Sequence, residues 1–367
     1  MKKITHNQIP KIAIVGMDCY LGGGCQNLDT FEQSIYEGTQ HFIPLPEQRW
    51  QRIEKPEELL KKYGFYSGKA PLGAYIQDWQ ILPEASDKVN PQELLMLQVA
   101  DNAFKDAGVY PGSKVAVVIV IAKELALSQN TQLASSDIKN QLANHISQLW
   151  KFTGAAFTLT AAQSSVFKAL EMAQKLLVNQ EVDAVLVGAI ELAGDSASVL
   201  LRNQITAINT GVNTLSYDEN ANGWMVGEGA AAIVLKRHEI AKQDQNRIYA
   251  VIDALSLVEN AKSQIHSIPT AIDAETITQA CQQAFQLADI KPTDIGYLEV
   301  MGSGIPSQDE SEIRGLLQAY GTSEVNLSCA LGSAKANVGH TYAVSGLVSI
   351  VKTALCLYRS YIPVVPQ

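Results

Sequence analysis

The chain has 367 residues, of which 47% are hydrophobic and 18% charged, and its formal net charge is −9. This length allows a large core in one big domain or two fused halves, and the low charged fraction favours buried elements or an extensive subunit interface. No basic tract occurs, which argues against nucleic acid as a partner and against a polybasic membrane anchor. The apolar runs are too short to cross a bilayer, so we expect no membrane span.

The N-terminus and the cysteines indicate a cytoplasmic protein. "MKKITHNQIPKIAIVG" has no apolar signal core before Pro10, so it predicts a short tail that enters a strand, not a secretion signal. Five cysteines are scattered along the chain without a CxxC pair: Cys19, Cys25, Cys281, Cys329 and Cys356. This usage is typical of a reducing compartment and argues against a zinc site.

The first elements begin with "KIAIVGM", which predicts a buried strand ending in glycine, followed by the loop "DCYLGGGC". "NLDTFEQSIYEG" predicts a helix that Asp29 or Thr30 caps and Gly38 ends. "NPQELLMLQVADNAFKDAG" is the clearest amphipathic helix, with Pro91 near its first turn and Gly108 at its end. Its predicted apolar face is Leu94, Leu95, Leu97, Val99 and Ala103.

The later elements alternate in type. Strands are predicted at "KVAVVIVIA", "VDAVLVGAIEL", "GEGAAAIVLKR", "IYAVIDALSLV" and "DIGYLEVMG", and helices at "SVFKALEMAQKLLVNQE", "AETITQACQQAFQLADI" and "GLVSIVKTALCLYRS". Strands that are apolar on both faces and alternate with helices indicate an α/β protein with covered sheets. A long helix followed by a buried strand occurs twice, which fits two similar halves. Any α/β chain repeats such units, so this weak internal repeat does not decide between one domain and two halves.

Three loops are candidates for chemistry. "GMDCYLGGGC" lacks the spacing of a phosphate-binding loop, so we favour a tight turn after a strand. "TLSYDENANGWMVGEG" has Gly223, Gly227 and Gly229, which allow close backbone approach or positive φ. "LGSAKANVGHTYAVSG" brings together Lys335, Asn337 and His340 among small residues just before a helix, an arrangement that favours a site over a lone structural histidine.

Together these stretches resemble the β-ketoacyl synthase (ketosynthase) family from Lys11 to the chain end. The family's opening is similar to "KIAIVGMDCYLGGG", its DPQ helix to "NPQELLMLQVADNAFKDAG" and its central signature to "SYDENANGWMVGEGAAAIVLKR". "YLEVMGSGIPSQDESEI" resembles the segment with the family's first catalytic histidine, and "GSAKANVGHTYAVSG" the segment with its lysine and second histidine. Because the motifs occur in the family's order, the resemblance identifies the chain as a member.

The resemblance implies an α/β protein with the thiolase fold, in which two similar halves pack in an α-β-α-β-α arrangement. We expect the N-terminal half over residues 1–243 and the C-terminal half over residues 244–367. The family continues for several dozen residues beyond "IPVVPQ", including a glycine-rich strand that lines the active site. We therefore expect the second half to be incomplete at its end, with exposed sheet edges.

In the family, a cysteine stands at the N-terminus of a buried helix, where the helix dipole and backbone N–H groups lower the pKa of its thiol. "QSSVFKALEMAQKLL" matches that helix, so Gln163 falls on the nucleophile position. A carboxamide is not a nucleophile, and a slip of one residue would place the equally inert Ala162 there. The alternative is a serine nucleophile, Ser164 or Ser165, at positions where the family has structural serines.

The resemblance also aligns "YLEVMG" with the family's Y-x-E-A-H-G, so Met301 takes the place of the first histidine. A thioether donates no strong hydrogen bond to an enolate or a carboxylate. Lys335 and His340 match the retained lysine and second histidine, with His340 as either a functional or a structural residue. No catalytic set is intact, and the pocket candidates are Gln163, Met301, Lys335, Asn337 and His340. Asp309 and Glu312 are expected to orient the surrounding loops.

Two functions follow from these departures. In the first, the chain resembles the chain-length factor of polyketide and polyunsaturated fatty acid synthases, which pairs with an active ketosynthase and shapes the acyl pocket without condensing. In the second, it is a glutamine-type ketosynthase that decarboxylates malonyl carrier protein to make a starter unit. Such enzymes keep both histidines, so Met301 favours the first. A stand-alone binding protein is a third alternative. Membership of an acyl-transferring family therefore leaves open whether the chain is itself an enzyme.

The expected partners are an acyl carrier protein domain and an active ketosynthase subunit or domain, in a homo- or heterodimer. Thiolase-fold proteins pair along an edge strand near the nucleophile helix, and residues 154–162, "GAAFTLTAA", are the candidate segment here. An uncharged edge of this composition would aggregate unless it is paired. A fully internal strand is the alternative. No cofactor and no metal ion are expected.

Overall fold

A computed structural model describes residues 10–50, 53–77, 90–122, 132–161, 165–204, 206–211, 217–259, 273–321 and 329–366. The helices are α1 (Leu28–Glu37), α2 (Pro56–Lys62), α3 (Pro91–Asp106), α4 (Gln132–Leu149), α5 (Ser165–Val178), α6 (Ser196–Arg202), α7 (His238–Gln243), α8 (Ala274–Ala288), α9 (Pro306–Tyr320), α10 (Lys335–Val338) and α11 (Ser345–Arg359). The strands are β1 (Ile12–Leu21), β2 (Ile43–Pro44), β3 (Leu72–Ala74), β4 (Val115–Ala122), β5 (Ala156–Ala161), β6 (Ala184–Glu191), β7 (Val226–Gly227), β8 (Gly229–Arg237), β9 (Ala250–Ile252), β10 (Tyr297–Glu299) and β11 (Ala330–Gly332). This alternation confirms the predicted α/β class.

The main sheet has the strand order β5-β4-β6-β8-β1-β9. Strand β4 runs parallel to β5 and β6, whereas β8 is antiparallel to both β6 and β1. Two smaller sheets accompany it: the parallel pair β10-β11 and the three short strands β2-β3-β7. Within the described strands, β5 therefore forms one edge of the main sheet, as predicted for residues 154–161, and Ala162 lies outside the described residues.

Helices cover the main sheet on both faces. Alternate residues of β4 point to opposite sides, so that Val118 and Val120 join a core with residues of α1, α5 and α11. Val117 and Ile119 join a second core with residues of α3 and α4. Strands buried on both faces need apolar residues at every position, which explains the continuous apolar runs in the sequence.

Strand β1 is longer than predicted. The expected end at a glycine is wrong, because β1 runs through Gly16, with an irregularity between Ile14 and Gly16, as far as Leu21. A Cβ atom on Gly16 would lie 2.6 Å from the carbonyl oxygen of Ala103 and from the Cβ of Ala107. Glycine is thus required there for the close approach of α3 and not for a turn. The turn comes later, at Gly23 and Gly24, whose φ values are 73° and 80°.

The N-cap residue of α1 is not the one that the sequence predicted. Asn27 takes the N-cap position predicted for Asp29 or Thr30: its side-chain oxygen accepts from the Thr30 N–H at 2.9 Å, and its own N–H donates to Thr30 Oγ1 at 3.2 Å. This reciprocal pair satisfies two groups that the first turn leaves free. Gly38 ends the helix with a φ of 66°, as predicted.

Helix α3 begins at Pro91, as predicted, and Asn90 caps it by accepting from the Gln92 N–H at 2.8 Å. Its buried face is rotated from the predicted one. Leu94 and Leu97 are only half-buried, whereas the fully buried positions are Leu95, Met96, Val99, Ala100, Ala103 and Phe104. The helix lies against the main sheet along this stripe, which follows the i, i+3, i+4 spacing of one helical face.

The described residues 250–259 and 273–299 include no fully buried residue. The strand predicted at "IYAVIDALSLV" is regular only over Ala250–Ile252, where β9 pairs with β1. Residues 253–259 follow without regular secondary structure. Helix α8 has no fully buried residue, and β10 is half-buried throughout. The division into halves at residues 243 and 244 stays a prediction.

Candidate functional site

A strained turn presents His340. Gly339 and Tyr342 both have left-handed φ values, 67° and 46°, and the second is unusual for a residue with a side chain. The His340 N–H donates to the Met225 carbonyl at 2.7 Å, and the Gly227 N–H donates to the His340 carbonyl at 3.1 Å. The turn is therefore fixed to β7. A strained backbone that its surroundings hold in place is typical of functional sites.

The imidazole of His340 is held in one neutral form. Its ring is stacked on the indole of Trp224, with centroids 3.8 Å apart, and the Tyr342 N–H donates to its Nδ1 at 3.0 Å. Because Nδ1 accepts, the proton of the neutral ring is assigned to Nε2. Burial lowers the pKa of His340 well below its usual range, and the positive charge of Lys335 lowers it further. His340 is thus a neutral donor at physiological pH.

Tyr342 joins this stack to a buried ion pair. Its ring meets Trp224 edge to face at 5.1 Å, and the Arg202 guanidinium lies over it, 4.5 Å from the centroid. Arg202 Nη2 donates to Glu191 Oε1 at 2.5 Å and to the Leu192 carbonyl at 3.3 Å. A buried cation therefore lies one aromatic ring away from His340.

Met301, which the sequence resemblance aligns with the family's first histidine, packs against an apolar cluster. Met301, Ile305 and Tyr342 are partly buried and pack against the core that holds Trp224, Phe65 and Leu200. Its backbone is fixed, because the Met301 N–H donates to Glu312 Oε1 at 2.7 Å and Ser333 Oγ donates to its carbonyl at 3.1 Å. The side chain therefore completes apolar packing and supplies no hydrogen-bond donor to the site.

Two carboxylates shape the loop that carries Met301. Asp309 accepts from the N–H groups of Ser303 and Gly304, at 2.7 and 3.1 Å. Glu312 accepts from the Gly302 N–H at 2.9 Å and from the Tyr217 hydroxyl at 2.8 Å. Both side chains are buried and act on backbone groups, so they orient the loop of residues 301–304.

Lys335 lies at the start of α10 near a buried acid–base pair. Lys352 Nζ is 3.0 Å from Glu299 Oε2, and Glu299 Oε1 accepts from the Ala334 N–H at 2.6 Å. Burial lowers the pKa of Lys335, and the charges of Glu299 and Glu312 oppose this effect. Its ammonium group adds positive potential next to His340, whose pKa it lowers.

Asn337 connects α10 to the end of α1. The side chain is 2% exposed, and its Nδ2 donates to the carbonyls of Ser34 and Thr39 at 3.3 and 3.1 Å. The Ser34 carbonyl also accepts from the Thr39 N–H at 3.1 Å, so Asn337 ties α10 to the turn that ends α1, a contact of the kind that fixes a fold. The pocket role proposed for Asn337 from the sequence remains a prediction.

The sequence-derived candidates come together in part. His340 contacts Trp224 and Tyr342, and Met301 packs against the cluster that holds Trp224. Lys335 acts on His340 through its charge. Gln163, like Ala162 and Ser164, lies outside the described residues, just before α5 begins at Ser165. Sequence reasoning missed Trp224, Tyr342 and Arg202 as site residues. The first two lie within motifs quoted above, but Arg202 carries no local signal.

In the part of the chain that the structure describes, no group of three or more His, Cys, Asp or Glu side chains is placed to hold a metal ion. No described helix combines the length and apolarity needed to cross a membrane.

Comparison with known proteins decides the family. The profile described as "Beta-ketoacyl synthase, N-terminal domain" matches residues 10–241, and the one described as "Beta-ketoacyl synthase, C-terminal domain" matches residues 249–367. The chain belongs to the beta-ketoacyl synthase family. The resemblance inferred from the motifs is thereby confirmed.

Curated members of the family that resemble the chain are large synthases. A polyunsaturated fatty acid synthase subunit of Thraustochytrium sp. is 30% identical over 400 aligned residues, with 96% of this chain and 19% of the relative covered. A phenolphthiocerol/phthiocerol polyketide synthase subunit of Mycobacterium tuberculosis is 26% identical, with 96% of this chain and 20% of the relative covered. The chain thus spans about a fifth of the length of these relatives.

Solved structures of the family share the fold. The PfaC keto synthase–chain length factor has a TM-score of 0.75 and 29% identity, covering 94% of this chain and 40% of that one. The ketosynthase from module 6 of the bacillaene synthase of Bacillus subtilis 168 has a TM-score of 0.78 and 25% identity, covering 94% of this chain and 61% of that one. These matches confirm the thiolase-like ketosynthase fold.

Proposed function

We propose that this chain is a chain-length-factor-type domain, which pairs with an active ketosynthase in fatty acid or polyketide synthesis and shapes the acyl pocket without condensing itself. The observation that carries the proposal is the packing of Met301 against the apolar cluster that holds Trp224, Phe65 and Leu200. A thioether packs in such a partly buried apolar setting without needing a hydrogen-bond partner.

The chemistry of condensation supports this interpretation. The reaction needs a thiolate that takes the acyl group and donors that stabilise the enolate formed on decarboxylation. Gln163 at the aligned nucleophile position offers neither a thiolate nor an accessible anion. Met301 removes one donor, and loss of one such donor costs about 10²–10³ in rate. His340 and Lys335 alone cannot supply an acyl-enzyme.

Similarity to known proteins gives independent support. One of the structural relatives is itself named for a chain length factor, and a curated relative is part of a polyunsaturated fatty acid synthase. By analogy, we infer that an active ketosynthase and an acyl carrier protein are the partners of this chain. A cytoplasmic location belongs to the same proposal.

The edge of the main sheet is the surface we assign to the ketosynthase partner. In the described sheet, β5 pairs with β4 on one side and with no strand on the other. Phe157, at 38% exposure, and the half-buried Leu159 lie on the same face of that edge. A strand from a second protein would satisfy the free N–H and C=O groups and cover both side chains.

The test is a condensation assay with defined components. The chain is incubated with an acyl carrier protein and a malonyl carrier protein, and products are followed by intact-protein mass spectrometry. We expect no β-ketoacyl product and no acylated chain. Stable acylation at Gln163, Ser164 or Ser165 would overturn the proposal.

The second candidate, a decarboxylase, is favoured by one observation: His340 keeps a neutral Nε2–H donor next to Lys335. The same incubation separates the two functions. Conversion of malonyl carrier protein to acetyl carrier protein at a rate that falls in a His340→Ala variant would establish the decarboxylase. Carrier protein that stays malonylated supports the chain-length-factor role.

A further inference from the structure

A groove with a volume of about 680 Å³ lies between α1, the loop that follows β1 and the segment of residues 39–43. Its walls include the apolar side chains of Leu21, Ile43 and Ile76. Neither His340 nor Met301 is among the described residues that line it, so the groove is separate from the site described above. Its volume lies within the range of ligand-binding clefts in proteins.

Residues 40–42, which line this groove, have an unpaired backbone. No N–H or carbonyl group of these three residues has a hydrogen-bond partner among the described residues. The stretch leads directly into β2, the outer strand of the described sheet β2-β3-β7. Because Ile43 pairs with Gly73 of β3, and alternate residues of an antiparallel strand direct their backbone groups to opposite sides, Phe42 presents its N–H and C=O away from β3. This side is a free strand edge.

The side chains that line the groove favour an uncharged occupant that accepts hydrogen bonds. Gln40 Nε2 is buried and has no hydrogen-bond partner in the described structure. In the described lining, Glu37 and His41 are the two side chains that carry or can gain a charge, and Glu37 Oε1 already accepts from Gln33 Nε2 at 2.9 Å. A buried amide donor without a partner fits the carbonyl oxygen of a bound molecule.

An exposed apolar surface adjoins the rim of the groove. Tyr36 and Ile362 are 63% and 61% exposed, and Val364 is 52% exposed. The Tyr36 ring meets that of Tyr361 edge to face at 5.4 Å, and a Cβ atom added at Gly38 would lie 2.7 Å from Val364 Cγ1. Neighbouring apolar side chains that stay exposed in this way mark an interaction surface.

We propose that an extended, uncharged peptide segment of a partner protein binds in this groove as an added strand beside residues 40–42. A peptide repeats one N–H and one C=O per residue at strand spacing, which matches the free groups of this edge. Its carbonyls can accept from Gln40 Nε2, and its apolar side chains can cover Tyr36 and Val364. The proposal does not depend on the chain-length-factor role.

The experiment is a calorimetric titration of the full 367-residue chain with a heptapeptide of alternating valine and threonine, acetylated and amidated at its ends. The control peptide is its fully N-methylated form, which keeps the side chains but has no N–H donor. Gln33→Trp fills the groove from an exposed position of α1, and Gln40→Leu removes the buried donor. Gln282→Trp, at an exposed position of α8, is the matched control. Thermal unfolding of each variant establishes that it is folded.

We expect the heptapeptide to bind and its N-methylated form to bind at least about tenfold more weakly, because it forms no ladder hydrogen bonds. Gln40→Leu should weaken binding about fivefold through the loss of one hydrogen bond. Gln33→Trp should abolish binding, and Gln282→Trp should leave it unchanged. Hydrogen exchange followed by mass spectrometry should show slower exchange of the amides of residues 40–42 in the complex.

Three results would each refute a peptide site: absence of heptapeptide binding, equal binding of the N-methylated form, or full binding by a folded Gln33→Trp variant. Self-association of the chain that the heptapeptide competes away would identify a second copy as the occupant and would also refute the assignment to a partner protein. Because no condensation is measured, these outcomes are independent of those that test the proposed function.

Discussion

The imidazole of His340 lies flat against the indole of Trp224, with an interplanar angle of 3° and ring centroids 3.8 Å apart. This contact removes one face of the imidazole from water, and the Tyr342 N–H occupies its Nδ1. The ring is therefore held in its neutral form, with the proton on Nε2.

The first prediction concerns the acid stability that follows from His340. Its folded pKa is lowered well below the usual value of about 6.5, so below pH 6.5 the unfolded chain binds more protons than the folded one. His340 should therefore cost about 1.4 kcal/mol of stability for each pH unit below 6.5, until the folded pKa is reached. Urea titrations of wild type and His340→Asn measure this as a difference in slope. Equal slopes would contradict it.

The second prediction is that Asp18 makes the folded chain more stable as the pH falls, the opposite of the effect of His340. Burial raises its pKa to about 6, the hydrogen bond from Asn102 opposes this and the charge of Asp106 adds to it. Because the folded pKa lies above the unfolded one, the folded chain binds the proton first, and stability rises as the pH falls from 6 toward 4. The gain is at most about 3 kcal/mol. Asp18→Asn keeps an acceptor for Asn102 but should abolish the gain, so that the variant is more acid-sensitive than wild type in urea titrations.

The next prediction is that a nucleophile alone does not restore condensation. Gln163→Cys supplies a thiol at the position aligned with the family cysteine, but Met301 leaves the site one donor short. We expect no measurable condensation from the single variant. Gln163→Cys combined with Met301→His should allow acyl loading, detected as a mass increase of the intact protein. A single variant that condenses at the rate of an active ketosynthase would show that Met301 does not occupy the histidine position.

Local features of this fold followed well from the sequence. The start of α3 at Pro91 and the end of α1 at Gly38 were predicted, because each depends on neighbouring residues alone. The continuation of β1 through Gly16 was not predicted, because the need for glycine comes from Ala103 and Ala107, which are distant in sequence. A glycine in a strand predicts a turn until its packing partner is known.

Only those candidate site residues that lie within recognised motifs were predicted from the sequence. Met301, Lys335 and His340 are predicted site residues because the family resemblance aligns them; His340 stacks on Trp224, and Met301 packs against the cluster that holds Trp224. Arg202 was missed because its partners are Glu191 and the ring of Tyr342, which lies on a different segment of the chain. Pairings of this kind depend on tertiary structure, which no local pattern encodes.

A further prediction tests the packing of α3 on β1. Gly16→Ala would place a Cβ atom 2.6 Å from the backbone of Ala103 and Ala107. Relief of this clash requires a shift of α3, which is packed in the core. We expect a loss of about 1–3 kcal/mol in the free energy of unfolding. Gly296→Ala is the matched control, because nothing lies within 4 Å of its added Cβ. A Gly16→Ala variant as stable as the control would refute the close-approach argument.

The last prediction concerns association through β5. Thr158 points toward α4, where its Oγ1 accepts from the Ala143 N–H at 3.3 Å, so Phe157 and Leu159 lie on the opposite face of the strand. An uncharged edge with a free hydrogen-bonding side pairs with another strand or aggregates. A stable interface of this kind buries at least about 1,000 Å². We therefore expect the chain to be a dimer in light scattering, and preferably a heterodimer when an active ketosynthase is present.

Phe157→Asp should break that association, because pairing would bury an uncompensated carboxylate at the centre of the new interface. We expect this variant to scatter as a monomer or as an aggregate and to bind no ketosynthase. Tyr110→Asp introduces the same charge at a side chain that is 75% exposed, and it should remain dimeric. A wild-type chain that is a monodisperse monomer at micromolar concentration would refute pairing through β5, as would a Phe157→Asp variant that still dimerises like the control.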